Sequence, residues 1–139
     1  MPFIPATMQS LLTAALQNKN ATASSYASQF ASALMAAASS AFINTPPTPI
    51  PMAGVCLQPI VQTQIMAVAS NPNGNANSTA SQYASAISSF CPLVPPVGMA
   101  VLQMQLANIF SNSNNTENGA ASQIANAIAT YFSSSGMVI

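Results

Sequence analysis

Charge is almost missing from this 139-residue chain, which carries one Lys (Lys19), one Glu (Glu117), and no Asp, Arg or His. Each absence closes a class of function. Phosphate binding depends on Lys and Arg neutralising charge, so no nucleic-acid partner is expected. A nucleophilic serine needs an adjacent base, and no His is there to serve. A Ser–Lys pair would have to draw on Lys19, which sits in an Asn-rich stretch. Glu117 alone cannot make the carboxylate pair of a glycosidase. Cys56 and Cys91, without His or Asp, make a poor metal site. The expectation is a protein that is not an enzyme and takes neither cofactor nor metal.

Long apolar runs are missing too. Half of the residues are hydrophobic and the mean hydropathy is +0.40, which argues against disorder. Yet no uninterrupted stretch approaches the ~18–20 residues a spanning helix requires. The longest candidate, Phe30 to Phe42, is broken by Ser32, Ser39 and Ser40. No membrane span is expected. With net charge near zero, nothing repels one copy from another, and self-association is favoured. Met1 is not followed by a charged segment and an apolar one, so the chain reads as a mature form or an excised domain.

What the chain does have is a phrase that returns three times. It reads Ser28-Gln29-Phe30-Ala31-Ser32-Ala33-Leu34, then Ser81-Gln82-Tyr83-Ala84-Ser85-Ala86-Ile87, then Ser122-Gln123-Ile124-Ala125-Asn126-Ala127-Ile128. Counting back from each Gln aligns Leu12 with Ile65 and Leu106, and Met8 with Val61 and Leu102. Ala15 aligns with Val68 and Ile109 in the same register. Three units follow, at 5–44, 55–91 and 97–134. Leu12, Phe30, Leu34, Ile65, Tyr83, Ile87, Leu106, Ile124 and Ile128 are their expected core.

Within each unit the large residues recur at three- and four-residue steps, the signature of amphipathic helix. Each unit holds two such helices around an Asn-rich spacer, with the second helix of unit one ending near Phe42. Thr22 or Ser24 is the expected cap of that helix, and Ser78 or Thr79 that of its counterpart in unit two. Asn71-Pro72-Asn73-Gly74 is a strong turn signal. Short Ser/Ala runs leave a strand alternative, against which the spacing of the large residues argues. Proline-rich linkers at 45–54 and 92–96 cannot be helical, and the first is expected to form a stiff polyproline-type spacer. The fold class is therefore all-α: a bundle of about six helices in three repeated hairpins. No hairpin buries its apolar stripe alone, so the units must pack together in one domain, 1–139.

Cys56 and Cys91 flank unit two. They read as a disulfide worth roughly 3–4 kcal/mol on the loop-entropy model, or as two buried free thiols. Asn20, Asn77 and Asn114 each open an N-glycosylation pattern, one per spacer, a pattern that Asn- and Ser/Thr-rich turns also generate by composition. Met8, Met35, Met52, Met66, Met99 and Met104 either fill irregular core space or line an adaptable pocket.

The segments Ser24-Ser25-Tyr26-Ala27-Ser28-Gln29-Phe30-Ala31-Ser32-Ala33-Leu34 and Ala80-Ser81-Gln82-Tyr83-Ala84-Ser85-Ala86-Ile87 resemble the repeat and spacer domains of spider silk proteins. The tubuliform, aciniform and minor-ampullate spidroins are closest in style, and the proline spacers resemble the pyriform type. The resemblance implies a secreted, extracellular helical bundle that is stored soluble and then assembles with like chains into fibre. Two other readings stand beside it: a secreted helical protein holding an apolar ligand between its hairpins, and an interfacial surfactant or adhesive.

Overall fold

A computed structural model describes residues 5–17, 23–39, 41–44, 48–54, 56–69, 75–91, 98–112 and 117–134. Six α-helices occupy most of them: α1 (Pro5–Gln17), α2 (Ala23–Ala38), α3 (Gln58–Ala69), α4 (Ala76–Phe90), α5 (Met99–Ser111) and α6 (Glu117–Ser134). The protein is an all-α bundle. Each helix packs on its neighbours in sequence, and α6 returns to pack extensively on α1. The six thus close into a ring. Contacts across unit boundaries, α2 on α3 and α4 on α5, are at least as extensive as those within units. The hairpins are sectors of one ring, with a single contiguous core.

The helices form because Ala, the best helix former, is the commonest residue across them, while Ser and Thr are accommodated locally. Thr13, Thr63 and Thr130 turn their hydroxyls back to the carbonyls of Gln9, Pro59 and Asn126 at 2.7, 3.0 and 2.9 Å. Pro5 opens α1, where a missing N–H costs nothing.

Three local expectations need correction. Helix α2 stops at Ala38, short of Phe42. Ser39 ends it by donating its hydroxyl to the Ala36 carbonyl at 2.7 Å, and Ala41 N–H reaches the Ala38 carbonyl at 3.0 Å. The cap of α4 is Asn75, because its Oδ1 accepts the Ser78 N–H at 2.8 Å while Ser78 Oγ accepts the Asn75 N–H at 3.0 Å. Ser78 is thus the reciprocal partner of a capping box, and Thr79 lies within the helix. Ser24 likewise lies inside α2, which begins at Ala23.

The third correction concerns the linker 45–54. Its described part forms no free spacer. Phe42–Ile43 (β1) pairs antiparallel with Ile50–Pro51 (β2), Phe42 opposite Pro51 and Ile43 opposite Ile50. Met52 N–H donates to the Ala41 carbonyl at 2.9 Å, and Met52–Gly54 then makes a 3₁₀ turn. Ile43 and Met52 are wholly buried, so apolar anchors on either side of the prolines pull this crossover onto the bundle. Linker 92–96, the 71–74 turn and Thr22 lie outside the described residues.

Candidate functional site

Two of the three aligned triplets point fully inward, while in the third Ala15 is buried and Val68 and Ile109 are half-buried against the core. Leu12, Ile65 and Leu106 are completely buried, as are Met8, Val61 and, within 1%, Leu102. Phe30, Leu34, Ile87 and Ile128 are buried, with Tyr83 at 5% and Ile124 at 2%. The small residues follow the same register. Ala27, Ala80 and Ala121 are fully buried, and so are Ala31, Ala84 and, to 1%, Ala125. These alanines are the positions that large-residue periodicity overlooked. The signal was present in the Ala recurring four residues apart on either side of each repeated Gln.

An aromatic file crosses the bundle from α2 through α4 to α5. Ring centroids lie 6.3 Å apart for Tyr26–Phe30, 5.3 Å for Phe30–Tyr83 and 5.0 Å for Tyr83–Phe110. The last two are edge-on contacts, the geometry the ring quadrupoles favour. The Tyr26 and Tyr83 hydroxyls share a 3.0 Å hydrogen bond between units one and two. Burial pushes the Tyr26 phenol above its usual range, with the bond from Tyr83 partly offsetting it. Tyr83 is pushed up further, by burial first and by the neighbouring Tyr26 next.

Cys56 and Cys91 are both buried, and their side chains lie within interacting reach of each other. Asn77 lies exposed on the first turn of α4; Asn20 and Asn114 fall outside the described residues, as does Lys19.

Grooves run along two of the hairpin seams at matching repeat positions. One of about 290 Å³ between α1 and α2 is lined by Leu11, Ala14, Ala15, Gln29, Ser32 and Ala33, together with Ser28. One of about 430 Å³ between α5 and α6 is lined by the aligned Gln105, Asn108, Ile109, Gln123, Asn126 and Ala127, with Asn112 and Thr130. Gln29 and Gln105 each hold a side-chain oxygen shut off from solvent without a partner. Both grooves are open and uncharged. The described methionines line neither: Met8 and Met52 are core, Met35 and Met99 pack against it, and Met66 and Met104 are exposed at 38% and 59%.

The surface is the remaining feature. Leu11, Phe42, Leu57, Ile60, Met66, Val101 and Met104 are large apolar side chains open to solvent, on a chain with almost no charge to surround them. No helix among the described residues is long and apolar enough to cross a membrane. Fold and surface together define an uncharged all-α bundle. No family model, curated protein or solved structure matches the chain.

Proposed function

We propose that this chain is a structural, silk-type domain that acts outside the cell, assembles with copies of itself into fibre, and has no catalytic activity. The observation that carries this reading is the surface: seven exposed large apolar residues among the described ones, on a chain with essentially no charge. Soluble monomers keep apart through net charge and small apolar patches, and this chain has given up the first. The compact ring accounts for a soluble stored form. The carrier reading has less behind it, because both grooves lie open to solvent and neither encloses a ligand.

The test adds charge where the surface lacks it. Val101 and Met104 sit one turn apart on α5, 47% and 59% exposed. Val101→Glu with Met104→Glu should raise the protein concentration at which phosphate or shear produces fibres, while helicity stays unchanged. An unchanged threshold in a folded double variant would count against assembly through this surface.

A further inference from the structure

Cysteines that open and close unit two meet at one point of the fold. The Leu57 N–H donates to the Phe90 carbonyl at 2.6 Å, so the chain at 56–57 runs beside the chain at 90–91. On the other side, Cys56 N–H is tied to the Met52 carbonyl at 3.1 Å. Backbone bonds therefore bring the two residues side by side, close enough for their side chains to interact. Cys56 keeps 9% of its surface exposed, Cys91 only 1%.

We propose that Cys56 and Cys91 are a modification site, an intrachain disulfide that staples the start of α3 to the end of α4 by exchange with a low-molecular-weight disulfide. The exposure difference assigns the order. The Cys56 thiol gives up its proton and attacks one sulfur of the external disulfide, whose S–S bond breaks and releases one thiol. Cys91, deprotonated in turn, attacks the Cys56 sulfur of the mixed disulfide and expels the second thiol. Two protein thiols are oxidised, one external disulfide is reduced, and both protons leave on the released thiols. The hydrogen bond to Cys91, then burial, hold the Cys56 thiol above its usual range, so exchange is slow in the closed fold and quickens with rising pH.

The staple encloses α3, α4 and the segment that joins them. No cysteine lies in unit one or unit three. Oxidation therefore makes unit two the sector that keeps its helices when the ring opens. This site stands whether or not the chain forms fibre, and its test uses dilute soluble protein.

The experiment incubates the intact protein with oxidised glutathione at pH 8 and maps its peptides without reduction. The expected products are loss of both free thiols, a 56–91 linkage, and no retained glutathione. The melting temperature should rise by roughly 10 °C. Amide exchange should slow in α3 and α4 more than in α1 or α6, and dithiothreitol should reverse both effects. Two titratable thiols after prolonged oxidation, glutathione retained on Cys56, or disulfide-linked dimers would overturn the proposal. None of these readouts needs a variant that might misfold.

Discussion

Alanine is the residue that sets how closely this ring packs. At Ala31, Ala84 and Ala125 a methyl group is all that separates one helix from the core, and each is at least 99% buried. Ala84→Leu should destabilise the protein by about 1–3 kcal/mol through overpacking, read as a shift in the denaturant midpoint. Ser85→Leu, one residue on and exposed, should change stability by no more than about 0.5 kcal/mol. The tyrosine pair makes a second prediction at this scale. Both phenols, and the Cys56 thiol, have folded-state pKa values above their unfolded ones. Their contribution is complete below the unfolded values and is lost as pH rises past them. Melting temperature should therefore stay flat between pH 5 and 8 and fall above about pH 9–10. Tyr26→Phe with Tyr83→Phe should flatten the upper part of that alkaline fall.

Helix ends divide what the sequence disclosed from what it hid. The inward stripes were legible, because Met8, Leu12, Val61, Ile65, Leu102 and Leu106 keep one helical register on α1, α3 and α5, and Phe30, Leu34, Tyr83, Ile87, Ile124 and Ile128 keep another on α2, α4 and α6. The caps were not. Asn75, Ser78 and Thr79 all suit a helix start, and only backbone geometry selects Asn75 as the cap with Ser78 as its partner. Asn75→Ala should cost about 1 kcal/mol, within a range of roughly 0.5–2, checked by equilibrium unfolding. The strand pair after α2 was hidden for a different reason. Prolines at 46, 47, 49 and 51 announce an extended chain, but whether it stands free or folds back depends on Ile43 and Met52 finding the core. That is a tertiary outcome with no local periodicity. The thiol pair lies between these cases: its unit-boundary positions were visible, whereas its meeting point depends on how α3 and α4 pair.

At the scale of the whole molecule, closure of α6 on α1 was the feature least accessible to pattern reading. Three like hairpins can stack in a row or close in a ring, and the repeat register is the same for both. Closure matters for the proposed role because it removes open ends from the stored form. In the proposed role, copies would meet through the nearly uncharged outer surface. Stability and association then rest on apolar burial and hydrogen bonds, with almost no electrostatic contribution. The most direct measurement is helicity and light scattering followed together while pH, sodium chloride and phosphate are varied one at a time. Moving between pH 5 and 8, or adding sodium chloride until the Debye length falls from ~30 to ~8 Å, should leave both signals nearly unchanged. Phosphate and shear should drive assembly, because kosmotropes strengthen burial. A sharp assembly switch between pH 5 and 7 at constant salt would contradict the account.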